Sequence, residues 1–340
     1  MITLDRQAMS QLIDWESVMS SVEEGMRDEG NGLASGLPRT LLRTAVTPDG
    51  DPVPIIVMAA GSRGKGFAAI RTMGGRPFRF TLLLFDGAGE PVAYMDFAHL
   101  QLYRTGAVAA VASKYFARTN ATRLAIIGSG HTAKAAAVCH SYVRDFKEVR
   151  VYSRTEENRV EFARTVSPFM GLDVEPCASP MQAIEGADIV VVSGNIQRLE
   201  QEPVFKGAWM SHGMHVTALG GPGDLDQECF ARANRFVVDD LGEVRKEVLD
   251  TIKAVDSGLL PPWDQIDTMP QVVVGQKPAR TNEQDITLVR TRGSAVQDLY
   301  PAADIYLRAI AKNIGRDVGE VTATRDLGDR AFLLSPHQAT

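Results

Sequence analysis

The sequence predicts an α/β protein in which a parallel-sheet domain is inserted into a discontinuous α+β domain. Three observations carry this. Short apolar runs separated by Pro-, Asp- and Gly-bearing turns fill residues 38–94, the pattern of an antiparallel sheet. Strand and helix patterns alternate from Thr122 onward, which calls for a parallel sheet with right-handed crossovers. Between the first strand and first helix of that alternation stands LAIIGSGHTAKA, a glycine-bearing turn at residues 124–135.

Taken in order, residues 5–30 read as helical, because Leu12, Ile13, Trp15, Val18, Met19, Val22 and Met26 recur at spacings of three and four. Gly30, Gly32 and Gly36 end that pattern. TLLRTAV, VPIIVMAA, GFAAIRTM, FRFTLLLFD and VAYMD then read as strands, with turns such as TPDGDP and GAGEP between them. FAHLQLYRTGAVAAVASKYFAR is Ala-rich with few breakers and reads as a helix. In the second regime RLAIIG, EVRVYSR, LDVEPCA, DIVVVSG, HVTALG and RFVVDD are strands. The runs AII and IVVV suit strands buried on both faces. HTAKAAAVCHSYVRD and TEENRVEFARTVSPF are helices, and SPMQAIEGA is a short one capped by Ser179 with Pro180 at its first position. ITLVRTRGSAVQDLYPAADIYLRAIAKNI gives a last strand and a last helix, with Pro301 as a kink site, and the tail from Leu327 reads as frayed. The expected boundaries are 1–118 with 293–340 for the discontinuous domain and 119–292 for the inserted one.

Composition sets outer limits. At 44% hydrophobic and 23% charged residues the chain is an ordinary globular one. A net charge of −6 argues against general nucleic-acid binding. The start, MITLDRQAMSQLIDW, does not read as a signal peptide, and no apolar run is long enough to span a membrane. Cys139, Cys177 and Cys229 are widely spaced with no CxxC, so they read as reduced thiols in a cytoplasmic protein, and no metal site is expected. His212 and His215 lie near a strand and read as structural.

The glycine turn gains meaning from its setting. It follows a buried strand and opens a helix, as a dinucleotide-binding turn must. Gly128 permits the tight bend, Gly130 lets backbone approach a pyrophosphate, and Ala133 allows close helix–strand packing. The helix start offers free N–H groups and a positive dipole end to phosphates. The inserted domain is therefore Rossmann-like. The next strand ends in Ser153, Arg154 and Thr155, where an NAD-binding protein usually carries an acidic residue for the ribose. A guanidinium and two hydroxyls suit a 2′-phosphate, so NADP(H) is the preferred cofactor, with NAD(H) as the alternative. The competing reading has Arg154 stack on adenine or face solvent.

Beyond this turn the chain resembles the ornithine cyclodeaminase/mu-crystallin family. The pieces that carry the resemblance are LPRT at 37–40, LLLFD with GEPVAYMD, and YRTGAVAAVASKYFAR just ahead of IIGSG. GADIVVVS, HVTALG, FVVDD and ITLVRTRGSAVQD continue it nearly to the C-terminus. The resemblance implies a homodimer in which the flanking domain supplies the substrate pocket and dimerisation, while the central domain binds the nicotinamide cofactor. It also implies a hydride step between nicotinamide and the α-carbon of an amino or imino acid. Arg39 and Arg104 match family positions that hold the substrate carboxylate, and Arg71 falls where the family usually has lysine. For each arginine a salt bridge is the alternative. Arg104 and Thr105 are expected beside the cofactor as well. With them go Ser129, His131, Ser193, Leu219, Gly220, Thr132 in place of a frequent glutamine, and Thr291 in place of a serine.

The departures shape the functional expectation. In LGGPGDLDQE a gap-free alignment puts Pro222 at the family's aspartate and Asp226 at its lysine. Arg71 and Asp224 are the catalytic candidates, Asp224 only if the loop shifts to present it. Cyclodeamination needs proton transfers at each stage, whereas imine reduction needs a bound carboxylate, a protonated imine and a hydride. The expected activity is NAD(P)H-dependent reduction of an imino acid. Ornithine cyclodeaminase is the alternative, and a non-catalytic, crystallin-like NADP(H)-binding protein is a further one. The basic loops holding Arg63, Lys65, Arg76 and Arg79 either meet a second substrate carboxylate or are solvated.

Overall fold

The structure, a computed structural model, describes residues 1–46, 52–75, 77–194 and 200–319. Residues 47–51 of the TPDGDP stretch, Arg76 and the tail from Leu327 lie outside them. Two sheets organise the chain. The first has seven strands, in the order Arg316–Asp317, Ile2–Leu4, Pro91–Asp96, Arg79–Asp86, Phe67–Gly74, Pro52–Ser62 and Ala34–Val46. Its pairings are antiparallel except for Ile2–Leu4, which runs parallel to Pro91–Asp96. The second has eight strands, all parallel, with Arg123–Ile127 between Glu148–Tyr152 and Ile189–Val192.

Alternation along the first sheet separates two faces. Met58, Leu82, Leu84 and Met95 point inward, against Val22 and Met26 of helix Trp15–Gly30, Val108 and Val111 of helix Ala98–Phe116, and Leu299 and Ile305 of helix Val296–Lys312. The outward face carries a cross-strand row of Leu37, Ala59, Ile70, Leu83 and Tyr94. Three of these are openly exposed: Leu37 at 68%, Ile70 at 40% and Tyr94 at 44%.

The N-terminal region departs from the single helix read over 5–30. Ile2–Leu4 is a strand, and the helix is broken into Arg6–Leu12 and Trp15–Gly30. The cause is local: Asp5 and Asp14 each turn a side-chain oxygen onto a backbone N–H three residues on, so each starts its own helix. Helices Leu241–Glu247 and Leu249–Asp256 belong to no element the periodicity picked out. The helix Val296–Lys312 runs through Pro301 without a break.

At the end of Trp15–Gly30, burial, with Asp240 and Asp239 nearby, pushes the Glu29 carboxyl up to about 8. The folded value lies above the unfolded one, so this group favours folding fully below its unfolded value near 4.5. That contribution is lost as pH rises through about 8. Glu29→Gln is therefore expected to melt at least about 2 °C above the parent protein at pH 9, with the difference vanishing near pH 5. Thermal melts across that range check it, and a pH-independent difference would exclude this origin.

Candidate active site

Strand Arg123–Ile127 leads into helix His131–Ser141 through Gly128, whose φ of +122° disfavours side-chain-bearing residues. A Cβ there would also collide with the Ser193 carbonyl. Gly130 is the N-cap, has open space around its Cα, and no side chain caps the helix. The first-turn N–H groups are thus left for a ligand. They open onto a cleft of about 520 Å³. Gly128, Ser129, Gly130, His131 and Thr132 line one side, and Ser153, Arg154 and Thr155 the other, with Ser193 between. Arg154 is exposed at the rim. Ala133 is fully buried under the helix start. Gly-turn, free helix terminus and cleft together fit a dinucleotide.

The helix Ala98–Phe116 lies directly against His131–Ser141. A Cβ on Gly106 would fall 2.6 Å from the Ala135 carbonyl, so the two backbones touch there. This is the physical reason for glycine after Arg104-Thr105. It brings those two residues beside Thr132, which lines both the nucleotide cleft and a second cavity of about 530 Å³. Arg39, Arg71, Arg104, Thr105, Leu219 and Thr291 all line this second cavity.

The three arginines differ in what they have left to offer. Asp298, 1% exposed, divides its carboxylate between two of them: one oxygen is 2.7 Å from Arg71 Nη1, the other 2.6 Å from Arg104 Nε. Arg71 is further held against the faces of Phe97 and Phe80, 5.1 and 5.6 Å from its guanidinium carbon. Burial lowers the Arg104 guanidinium from its ordinary value, and Asp298 opposes that shift. Two cations share one carboxylate, leaving one net positive charge at the cavity wall. Arg104 is gripped at Nε, so its Nη1 and Nη2 remain as a fork, the geometry that suits a carboxylate.

Arg39 is differently occupied. Its Nε meets Glu243 at 2.6 Å, Nη1 meets Glu247 at 3.1 Å, and Nη2 donates to the Arg292 carbonyl at 3.0 Å. Glu247 also holds Arg292 at 2.6 Å. Arg39 thus ties the first sheet to the helix Leu241–Glu247, and the salt-bridge alternative describes it better than a substrate clamp does. Asp224 is also placed away from the arginines. It is fully buried under the backbone of Gly194 and Gly220 and lines neither cavity, so the condition set for it, a loop that presents it, is not met in this structure. The neighbouring loop is pinned instead by the fully buried pair Arg290–Asp250, with Arg290 Nη1 donating to the Ala218 carbonyl at 3.1 Å. Gly220 likewise lines neither cavity.

Sequence reasoning passed over Asp298, Asp239, Glu243 and Glu247. Asp239 lines the second cavity, and its oxygens accept from the backbone N–H groups of Asp240, Arg292 and Gly293 and from Gln297 Nε2, at 2.8–3.2 Å. Asp239 stands in FVVDD, Asp298 at the end of AVQD, and Glu243 and Glu247 in LGEVRKE, where no local pattern names their partners. His215 is buried between Thr217 and Thr287 at 2.8 and 2.9 Å and lines neither cavity.

A glycine-turn cleft joined to an arginine-lined cavity, on a parallel sheet flanked by a mainly antiparallel one, defines a two-sheet protein of the dinucleotide-binding fold class. The sequence profile of the ornithine cyclodeaminase/mu-crystallin family matches residues 2–313, and the chain belongs to that family. It is 34% identical over 235 residues to a Delta(1)-pyrroline-2-carboxylate reductase of Bacillus cereus, covering 68% of this chain and 71% of that protein. It is 32% identical over 231 residues to the mouse ketimine reductase mu-crystallin, covering 66% and 68%. Among solved structures it superposes on Thermococcus litoralis Delta(1)-pyrroline-2-carboxylate reductase, in complex with NADH and L-proline. There the TM-score is 0.85 at 28% identity, over 94% of this chain and 100% of that one.

Proposed function

We propose that this chain is an NADP(H)-dependent reductase of an imino acid, with NAD(H) as a weaker cofactor, that delivers hydride to the C=N carbon and yields an amino acid. The observation that carries the reading is the Arg71–Asp298–Arg104 cluster, two guanidiniums on one carboxylate with the Arg104 Nη1 and Nη2 as a fork, in a cavity sharing Thr132 with the nucleotide cleft. A nicotinamide bound in the cleft supplies the hydride. Arg104 and Arg71 hold the α-carboxylate, which fixes the imine carbon at one distance and one face. Asp239 is the only carboxylate lining the cavity among the described residues, and its oxygens already accept four N–H groups. In this reading the imine therefore enters already protonated. Cyclodeamination is disfavoured because Asp224 lies under the glycine backbone and is not available to move protons.

The test is NADPH and NADH oxidation followed spectrophotometrically with cyclic ketimine carboxylates and with keto acids plus ammonia. Substrate-dependent NADPH loss is expected. Proline and ammonia from ornithine without net cofactor change would point to a cyclodeaminase, and cofactor binding without any turnover to a binding protein. For the cofactor, Ser153, Arg154 and Thr155 at the cleft rim support NADPH. Arg154→Asp is expected to weaken NADPH binding at least tenfold more than NADH binding in fluorescence titrations, and equal losses would remove the 2′-phosphate assignment.

The same reading includes a homodimer built on the outward face of the first sheet, supported by the exposed row of Leu37, Ile70 and Tyr94. It assigns residues 1–118 and 293–340 to the dimerisation and substrate domain, and 119–292 to the nucleotide domain. A cytoplasmic location belongs to it too, since all three cysteines are unpaired and buried. Among the described residues no helix is long and apolar enough to cross a membrane.

A further inference from the structure

Strands Arg235–Val238 and Thr287–Arg290 are neighbours in the parallel sheet and end together, with Val238 opposite Arg290. Asp239 follows the first strand, and the second runs through residues 292–294 into helix Val296–Lys312. Asp239, 1% exposed, joins the two exits. Its Oδ1 accepts the N–H of Arg292 at 2.8 Å and that of Asp240 at 2.9 Å. Its Oδ2 accepts the N–H of Gly293 at 2.8 Å and Gln297 Nε2 at 3.2 Å. Successive backbone N–H groups beside a residue of positive φ form a concavity for an anion, and the Asp239 carboxylate fills this one. Gln297 continues the bracing, since its Oε1 accepts the Ser294 N–H at 3.2 Å. The turn is thus tied to the parallel sheet by Asp239 and to the start of the last helix by Gln297.

The turn matters because of what rests on it. Gly293 has a φ of +85°, and a Cβ there would overlap Arg104 Nη1 and stand 3.1 Å from Nη2. A bare glycine is therefore the surface on which the guanidinium fork lies. Asp298, in the first turn of the helix that follows, grips the same side chain at Nε, 2.6 Å away. Seat and grip both fall within residues 293–298, the segment that Asp239 fixes. Asp239 is spent on four N–H donors, an arrangement that suits a support rather than a proton donor. It reaches a molecule in the cavity through the side chain whose seat it holds.

We infer that Asp239 is a positioning residue for imine reduction. It fixes the turn at residues 292–294, and through Gly293 it sets where the Arg104 fork meets the substrate carboxylate. The inference rests on the reductase reading. The experiment measures kcat/KM with NADPH for a cyclic ketimine carboxylate, its pH profile, and the NADPH Kd by fluorescence titration. The full chain is compared with Asp239→Asn, Gly293→Ala, Arg104→Ala and the double variant Asp239→Asn with Arg104→Ala. Asparagine puts an NH2 in place of one oxygen, so two of the four N–H groups lose their acceptor. Asp239→Asn is expected to lower kcat/KM about 30-fold or more, with the NADPH Kd within about twofold of native and the shape of the pH profile kept. In the Arg104→Ala background the same change is expected to cost less than about threefold, because the side chain it positions is gone. Gly293→Ala keeps Asp239 and puts a methyl where the fork lies. It is expected to lower kcat/KM at least about tenfold, and it keeps the inference testable if Asp239→Asn does not fold. Native kcat/KM in either single variant would overturn the inference. So would losses that multiply in full in the double variant, a matching loss of NADPH affinity, or a limb of the pH profile that disappears with the Asp239 carboxylate. Each of these leaves an imine reductase standing. Failure of the full chain to reduce any imine would overturn the reductase reading, and the inference with it.

Discussion

Arg104→Ala is expected to lower kcat/KM for imine reduction by about 10³-fold while leaving the melting temperature within a few degrees of the parent protein. The loss has two sources. The guanidinium fork contributes charge-assisted hydrogen bonds to the carboxylate, each stronger than a neutral pair. Its removal also leaves Asp298 paired with Arg71 alone, so the cluster becomes neutral and no longer attracts an anion. A carboxylate held by one point in place of a fork rotates, and small misplacements of the reacting carbon cost heavily in rate. Asp298 keeps one partner, and water from the cavity replaces the lost side chain, so the fold survives. Steady-state kinetics with thermal melts check this, and kinetics within threefold of the parent would remove Arg104 from the site.

The second large effect is expected at a residue that lines neither cavity. Gly106→Val puts side-chain atoms where the Ala135 carbonyl now lies, 2.6 Å from the position of the Cβ alone. Backbone cannot yield as a flexible side chain does, so helices Ala98–Phe116 and His131–Ser141 must part. We expect a destabilisation of about 3 kcal/mol or more. We also expect at least a tenfold loss of NADPH affinity, because the second helix carries the phosphate-facing turn. Gly106→Ala, with its smaller intrusion, is expected to fall between the two. Melts and nucleotide titrations on the same samples decide it, and a valine variant with native stability would refute the close helix contact.

How far the site was legible follows from the range of the interactions. The nucleotide turn was readable because its parts are contiguous: Gly128, Gly130 and Ala133 serve one strand–turn–helix unit. The strands of the first sheet were readable from their alternation and their turns. What was missed depends on pairing across the chain. Arg71 and Asp298 are 227 residues apart, and Arg39 and Glu243 are 204. No local pattern shows that Asp298 serves two arginines or that Arg39 is occupied by glutamates. The split of the N-terminal helix was a different kind of miss. Asp5 and Asp14 each cap a helix of their own, while the apolar spacing through Ile13 and Trp15 reads as a single one.

The late position of Asp298 bears on how the protein is made. As the chain leaves the ribosome, the antiparallel strands and helix Ala98–Phe116 emerge first, then the whole parallel sheet, and only afterward the helix Val296–Lys312. Until that helix arrives, Arg71 and Arg104 face each other without their shared counter-ion. The inward face around Met58 and Leu82 also lacks the cover of Leu299 and Tyr300. The parallel-sheet half can close on itself during synthesis, whereas the half that holds Arg71 and Arg104 must wait for that helix. A nascent chain therefore passes through an interval in which a closed parallel-sheet half stands beside an open, doubly charged sheet with its apolar face uncovered.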